Sequence, residues 1–288
     1  MLLEIAIADA YGVGFEYRPQ NFIRENNDLE KYYSHEKYAS LHGCYSDDTQ
    51  MSLGIAELML ENASWEARII ADYFVEVFQR DPRNGYSKKF QNILSASSSG
   101  EDLLSNIVPT SDRSGAAMRS GIIGLYADTE GVMKKTRLQA SLTHNTESGK
   151  AAAEAAALLT HYFAYQKGAK ADVGNYVSEV VSSPKWSEDW SGEVGEKGWM
   201  SVRAAITAIK KSSSQSELLK TCIAFTGDVD TVAAIAFSAA YFCREIERDL
   251  PDWMYEHLEN GKYGRDYLIS VDKRLAAKFE EVINWPQS

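Results

Sequence analysis

Apolar side chains recur every three or four residues through much of the chain, which is the pattern of helices with one buried face. In residues 50 to 62, Met51 and Ile55 begin such a stripe. Residues 64 to 79 repeat the pattern, with Ser64 as the candidate N-cap. The two segments together predict a helical hairpin.

Further helices follow from the same spacing. The run from residue 150 to 165 contains seven alanines, and alanine is the strongest helix former. Other predicted helices cover residues 202–210, 217–224, 231–247 and 271–283. Polar, glycine-bearing segments at 81–85, 95–101 and 187–198 read as surface loops that are too short to be interdomain linkers. We therefore predict a compact, single-domain, all-α bundle of many helices over residues 1 to 288.

Composition narrows the class of protein. Six prolines in 288 residues are few for a chain of many short strands, and a net charge of −11 disfavours nucleic acid as the primary ligand. The three cysteines, Cys44, Cys222 and Cys243, form no close pair, which favours a reducing compartment. No apolar run reaches the ~18 residues of a membrane span. We expect a cytoplasmic monomer with no membrane partner.

Two adjacent acids stand directly before the first predicted helix. Neighbouring side chains diverge on a regular helix, so Asp47 and Asp48 can meet one ligand only from a turn at its start. An acid or a serine at that place also satisfies free backbone N–H groups. Taken alone, this segment is more simply interpreted as a helix cap.

A second acidic segment, residues 226 to 231, precedes another apolar run. Asp228 and Asp230 would lie on nearly opposite faces of a helix, so a shared role needs a loop, which Gly227 favours. Thr231 adds a hydroxyl. A cap with one surface acid is again the simpler interpretation of this stretch alone.

Together the two segments offer an oxygen-only set of ligands, which suits a hard cation. Magnesium is the first candidate, and manganese or calcium come next. Carboxylates gathered without a cation would repel one another and hold protons more tightly. If the fold brings the segments together, they predict a metal site.

Five short motifs, in order along the chain, resemble those of the ADP-ribosylglycohydrolase family. They are similar to the family's Gly-Asp-Ala-x-Gly segment with its following Glu, and to its Thr-Asp-Asp-Thr-x-Met, Asn-Gly-x-x-Met-Arg, Leu-Thr-His and Gly-Asp-x-Asp-Thr elements. Their places here are residues 8–16, 46–51, 114–119, 141–144 and 227–231. Each motif is weak alone, but the ordered set is specific.

Four positions depart from the family pattern. Ala8 stands where the family usually has Gly, Ser46 where Thr is common, Ser114 where Asn is common, and Val229 where Thr is frequent. Ser46 keeps a hydroxyl that can contact a metal. All four aspartates of the two acidic segments are intact.

The resemblance implies an orthogonal all-α bundle of the ADP-ribosylglycohydrolase type with two Mg²⁺ ions, for which Mn²⁺ can substitute. Two such ions would activate a water and hold ribose hydroxyls. The implied catalytic residues are Glu16, as general acid/base or positioning group, with Asp47, Asp48 and Asp228. The implied metal ligands are Ser46, Asp47, Asp48, Asp228, Asp230 and Thr231.

The resemblance also implies four residues that bind substrate. Ser114 and Gly115 begin a helix whose N–H groups can receive a pyrophosphate or a ribose hydroxyl. Arg119 can contact a phosphate or tie one helix to another. His144 can contact a ribose, or it can be a helix-capping or buried histidine.

The function that the resemblance implies is magnesium-dependent hydrolysis of the glycosidic bond between ADP-ribose and a protein side chain, with arginine as the expected linkage. Such cleavage develops oxocarbenium character at the anomeric carbon. One alternative is hydrolysis of a small ADP-ribose conjugate. Another is a non-catalytic protein that binds ADP-ribosylated targets or blocks a partner enzyme, which loss of a metal aspartate would favour.

Overall fold

The apolar stripes become helices in the computed structural model, which describes residues 1–286. Its fifteen α-helices are α1 (Leu2–Val13), α2 (Gln20–Asn26), α3 (Asp47–Leu60), α4 (Ala67–Arg80), α5 (Lys88–Ala96), α6 (Gly100–Asn106), α7 (Gly115–Met118), α8 (Thr129–Ser141), α9 (Glu147–Ala164), α10 (Val173–Val180), α11 (Gly198–Lys211), α12 (Gln215–Ala224), α13 (Val229–Ala240), α14 (Asp252–Glu256) and α15 (Arg265–Phe279).

Five of the predicted helices correspond to α3, α4, α9, α11 and α12, with ends that differ by up to four residues. The predicted Ser64 cap is wrong, because α4 begins after Glu66, whose side chain makes no capping bond. The helix predicted over 231–247 ends at Ala240. After Ala240 the chain turns, which lets Glu247 reach the segment before α12, where its N–H donates to the Ser213 carbonyl at 2.8 Å.

The last predicted helix is shifted toward the N-terminus. Residues 271–283 were the expected span, whereas α15 covers Arg265–Phe279 and follows Gly264 at its N-cap. Its buried side chains Leu268, Val271 and Leu275 continue one apolar stripe back toward that cap. The expected span therefore contained only the second half of the stripe.

Helix α1 has no counterpart among the predicted helices. Eleven of its twelve residues are buried, because it packs against both α13 and α15. A helix that is apolar on every side carries no stripe, so its sequence lacks the 3.6-residue signal. Because α1 has neighbouring helices on all sides, the Asp9 side chain is buried inside the protein.

The centre of the molecule is α13. All twelve of its residues are buried, and it packs against α1, α9, α11 and α12. A β-carbon on Gly12 would lie 2.5 Å from the Cα of Asp230, so only glycine lets α1 approach α13 this closely. This contact places the end of α1 beside the second acidic segment.

The predicted all-α, single-domain fold class is confirmed. Across residues 1–286, strand pairing is limited to four isolated bridges, and one hydrophobic core extends from Met1 to Ile283. None of the helices described combines the length and the apolar character that crossing a bilayer requires. Residues 287 and 288, the end of the predicted domain, lie outside the described chain.

Candidate active site

A cavity of about 740 Å³ lies where the ends of α1, α3, α7 and α13 meet. That volume is typical of pockets for small molecules and cofactors. Predicted site residues that line it are Glu16, Asp47, Asp48, Ser114, Gly115, Arg119, His144, Asp228, Asp230 and Thr231. Ser46 is fully buried behind this surface. The fold therefore gathers the two acidic segments and the substrate-binding candidates into one place.

The first acidic segment is a capped helix start, as the sequence predicts. Ser46 is the N-cap of α3, and its Oγ accepts a hydrogen bond from the Asp48 N–H at 3.4 Å. The same hydroxyl lies 3.4 Å from Asp48 Oδ2. Asp48 Oδ1 is buried and has no hydrogen-bond partner among the described residues. The segment therefore caps α3 and still has one carboxylate oxygen, Asp48 Oδ1, that no described residue hydrogen-bonds.

Asp9 anchors that segment to α1. Its Oδ2 accepts hydrogen bonds from the Ser46 N–H at 2.9 Å, the Thr49 N–H at 3.1 Å and the Thr49 hydroxyl at 2.6 Å. The other oxygen, Oδ1, has no partner within the described chain. Asp9, the acid of the first family motif, therefore positions the turn that carries the second motif.

The second acidic segment follows a loop in left-handed backbone conformation. Thr226 has φ +67° and Gly227 has φ +88°, and a β-carbon on Gly227 would overlap the Val194 carbonyl. The Asp228 N–H donates to that carbonyl at 2.9 Å, and the Val194 N–H donates to the Thr226 carbonyl at 2.9 Å. The loop turns Asp228 toward the cavity ahead of α13.

Glu16 joins the second segment from the turn after α1. The neighbouring Tyr17 donates its backbone N–H to the Gly227 carbonyl at 2.9 Å. Oxygens of Glu16, Asp228 and Asp230 all lie within 4.8 Å of one another. Glu16 thus borders the predicted metal site, although the expected ligand set does not include it.

Thr231 lies where the two acidic segments meet. Its side chain hydrogen-bonds toward Asp48 of the first segment and Asp228 of the second, which opposes the rise in pKa that burial causes in both carboxyls. The sequence spacing alone could not show this meeting, because 183 positions separate Asp48 from Thr231 (231 − 48). The meeting comes from the packing of α1 against both α3 and α13, which brings the starts of those two helices together.

The electrostatics of the cavity favour a cation. Burial, and after it the charge of neighbouring carboxylates, raises the pKa of Asp47, Asp48 and Asp230 well above the usual range. Burial and the charge of Glu16 raise the pKa of Asp228 to about 6. Hard divalent cations relieve such repulsion and bind carboxylate oxygens that lack a partner. The residues present therefore fit a metal ion.

The candidates at α7 are held by protein contacts. The Ser114 side chain hydrogen-bonds to Asp228, and a β-carbon on Gly115 would lie 3.2 Å from His144 Cε1. Arg119 is 1% exposed and donates to the Gly115 carbonyl at 2.9 Å and to Gln139 Oε1 at 2.6 Å. These bonds tie α7 to α8, which is the structural alternative that the sequence left open for Arg119.

His144 faces the cavity as a neutral imidazole. Its Nδ1 lies 2.6 Å from the Thr143 hydroxyl. Burial, and then the charge of Arg119, lower its pKa to about 3. At neutral pH the ring carries one N–H donor and one acceptor nitrogen. Such a group can hydrogen-bond an uncharged sugar hydroxyl.

His35 contacts Glu16, a pair that the sequence does not indicate. The His35 Nε2 lies 2.9 Å from Glu16 Oε2, and its Nδ1 accepts a hydrogen bond from the Lys37 N–H at 2.9 Å. The ring stacks on Tyr38, with 4.9 Å between centroids. Because Nδ1 is an acceptor, Nε2 carries the hydrogen and donates to the carboxylate. Nothing in the local spacing of residues 16 and 35 indicates this pair.

Comparisons with known proteins agree with the geometry. A family model described as ADP-ribosylglycohydrolase matches residues 1–284. ADP-ribosylhydrolase ARH3 of Xenopus tropicalis is 31% identical over 126 residues, which cover 41% of this chain and 36% of that protein. The match thus spans about a third of that relative's length.

A solved structure described as an ADP-ribosylglycohydrolase-related protein complex superposes with a TM-score of 0.69. It covers 96% of this chain and 95% of that one at 19% sequence identity, so the likeness shows the fold. The family resemblance is confirmed, and the chain belongs to the ADP-ribosylglycohydrolase family.

Proposed function

We propose that the protein is a magnesium-dependent hydrolase that cleaves the bond between ADP-ribose and an arginine side chain of a modified protein. The observation that carries the proposal is the convergence of carboxylates from three parts of the chain on one cavity. Those carboxylates belong to Glu16, Asp47, Asp48, Asp228 and Asp230. A cavity of this size with so dense a set of acids suits metal-assisted hydrolysis.

The oxygen-only donor set supports Mg²⁺ as the metal. The groups that would hold two ions are the carboxylates of Asp47, Asp48, Asp228 and Asp230, with the hydroxyls of Ser46 and Thr231. When bound, such ions activate water and stabilise charge on substrate oxygens. The unpartnered Oδ1 of Asp48 is the protein atom that most directly supports this assignment.

Glu16 is placed to move a proton. One of its oxygens, Oε2, accepts the hydrogen bond from His35, which leaves Oε1 for a water or for the leaving nitrogen. A carboxylate in that position can take a proton from the attacking water, or give one to the departing side chain. The side chain of Glu16 is 25% exposed, so it is reachable from the cavity.

The arginine linkage is supported by the character of the cavity wall. Tyr17 is 46% exposed and lines the cavity next to Glu16. A guanidinium can stack on an aromatic face and pair with a carboxylate. A serine linkage offers neither interaction, so we expect arginine conjugates to be the better substrates.

The test is release of free ADP-ribose from a protein modified on arginine, measured with Mg²⁺ and with a chelator. Asp228→Asn is compared with wild type, and Glu101→Gln, an exposed acid on α6, is the matched control. We expect Mg²⁺-dependent release that Asp228→Asn reduces by at least about 10²-fold, a loss typical of essential electrostatic groups. The control should retain full activity.

Serine-linked and small-molecule conjugates form further arms of the same assay. Release from a small conjugate alone would show that the substrate is a metabolite and not a modified protein. No release from any conjugate, with ADP-ribose still bound, would favour a non-catalytic binding protein. The four intact aspartates of the two acidic segments argue for the enzyme.

A further inference from the structure

We propose that Arg119 is a positioning residue that acts through Thr143 to hold His144 in the Nε2–H tautomer, with that N–H presented to the cavity. Arg119 then serves the site without contacting the substrate. The role of the presented N–H toward ADP-ribose rests on the proposed function, whereas the tautomer itself does not.

The first step concerns the buried guanidinium. Arg119 is 1% exposed, and within residues 1–286 no carboxylate forms an ion pair with it. It packs over the Phe74 ring at 4.6 Å, and one of its terminal nitrogens, Nη2, lies 2.8 Å from Thr143 Oγ1. A guanidinium has donors and no acceptor, so Thr143 must accept this hydrogen bond.

The second step concerns the threonine hydroxyl. Thr143 Oγ1 lies 2.6 Å from His144 Nδ1, and Thr143 is 5% exposed. If Nδ1 carried the hydrogen, the hydroxyl would accept twice, and its own hydrogen would be buried without a recorded acceptor in the described chain, which is costly. The nearby positive charge also repels a hydrogen on Nδ1. The hydroxyl therefore donates to Nδ1.

The third step concerns the opposite side of the ring. With Nδ1 as acceptor, the hydrogen of the neutral imidazole is on Nε2. His144 lines the cavity, and a β-carbon on Gly115 would lie 3.4 Å from Nε2, so this glycine keeps the approach to Nε2 open. The neutral ring offers a fixed donor to an oxygen of the ADP-ribose moiety. The lowered pKa of His144 is consistent with a ring that stays uncharged.

The experiment measures the tautomer directly, by ring-nitrogen NMR of the Mg²⁺-loaded protein labelled with ¹⁵N-histidine. The chain has five histidines, and His144→Gln assigns the signal. At neutral pH we expect the Nε2–H pattern for His144. Thr143→Val, which keeps the shape and removes the hydroxyl, should shift the pattern toward a mixture, and Thr143→Ser should restore it. An Nδ1–H pattern in wild type, or no change in Thr143→Val, would overturn the proposal.

Arg119→Lys tests the role of Arg119, because it keeps the positive charge and loses the Nη2–H group that donates to Thr143. We expect it to alter the His144 pattern as Thr143→Val does. A folded Arg119→Lys variant with the wild-type NMR pattern for His144 would show that Arg119 does not set the tautomer. Thermal unfolding of each variant shows whether it is folded.

Calorimetric measurement of ADP-ribose binding tests whether the His144 Nε2–H group donates to the ligand. Loss of one well-placed hydrogen bond should weaken binding about tenfold in Thr143→Val, with Thr143→Ser within about twofold of wild type. Equal affinity in all three proteins would refute a substrate role for the fixed tautomer. If no conjugate is hydrolysed at all, the proposed function fails, while the NMR pattern and the binding series still decide this inference.

Discussion

The two acidic segments have the same construction in sequence and are held in different ways. The first is held by side chains, since Ser46 caps α3 and Asp9 binds two backbone N–H groups of that turn. The second has no side-chain cap at the start of α13. Its backbone is instead held through Gly227 against Val194. The comparison shows that one motif pattern can place carboxylates by local capping or by distant backbone pairing.

The difference has a consequence for the ligands. In the first segment the Ser46 hydroxyl and one oxygen of Asp48 are engaged with each other. In the second segment the Asp228 carboxylate does not cap the helix. It is hydrogen-bonded instead by the side chains of Ser114, Ser201 and Thr231 at the cavity. Substitutions in the side chains that hold the first segment and in the backbone turn that holds the second should therefore differ in how much they change stability and metal binding.

The largest effect is expected from Gly227→Ala. The backbone there has φ +88°, and the new methyl group would overlap the Val194 carbonyl, so we expect a loss of about 3 kcal/mol or more in the free energy of unfolding. Urea unfolding measures it. Gly192→Ala is the matched control, because Gly192 has φ +91° with no atom within 4 Å of the new methyl group. It should cost about 1 kcal/mol, from conformation alone. Equal losses would show that the Val194 contact does not hold the second segment.

Asp9→Ala tests the support of the first segment. It removes the acceptor of three hydrogen bonds at the start of α3, and we expect a loss of about 2–3 kcal/mol in stability. Because the turn carrying Asp47 and Asp48 loses its anchor, Mg²⁺ affinity should fall at least about tenfold. Calorimetric titration with Mg²⁺ measures this. Thr49→Val removes one of the three bonds and should have a clearly smaller effect on both quantities.

Ser46→Ala separates capping from metal binding. Loss of the cap should cost about 1 kcal/mol in stability, whereas Ser46→Gly should cost only a few tenths of a kcal/mol through the cap. Both variants lack the hydroxyl, so both should lower Mg²⁺ affinity severalfold if the predicted ligand role is correct. Unchanged affinity in the two variants would remove Ser46 from the ligand set.

The smallest effect on the two acidic segments is expected from His35→Ala, because His35 contacts Glu16 and not the segments themselves. It frees Oε2 of Glu16 while leaving the backbone of the second segment intact. Because His35 is buried and stacks on Tyr38, stability should fall by about 1–2 kcal/mol. The turnover number should fall about tenfold, because Glu16 is less well placed, with KM little changed. His35→Gln, which can keep a donor to Glu16, should recover part of the activity. A rise in KM without loss of turnover would contradict a positioning role.

Local patterns accounted for much of this protein. Apolar spacing placed α3, α4, α11 and α12 within a few residues, and alanine content placed α9, because both signals lie in the local sequence. The cap at the start of α3 was also predictable, since a serine or an acid before an apolar run satisfies free backbone N–H groups. The ordered motifs indicated the family, now confirmed.

Tertiary packing decided what local patterns could not express. Helix α1 is buried on all sides and so has no stripe. Helix α13 ends at Ala240, and the turns beyond it bring Glu247 to the segment before α12. Both outcomes depend on neighbours that are distant in sequence.

The sequence by itself determined the all-α fold class and named the acids, because residue type and local spacing are sufficient for both. Only the tertiary structure decided that Glu16 stands with Asp228 and Asp230, that His35 holds it, and that Arg119 points at Thr143. The physical reason is one of range. Hydrophobic periodicity acts over a few residues, whereas a hydrogen-bonded site is built from side chains that only the packing of whole helices brings within 3 Å.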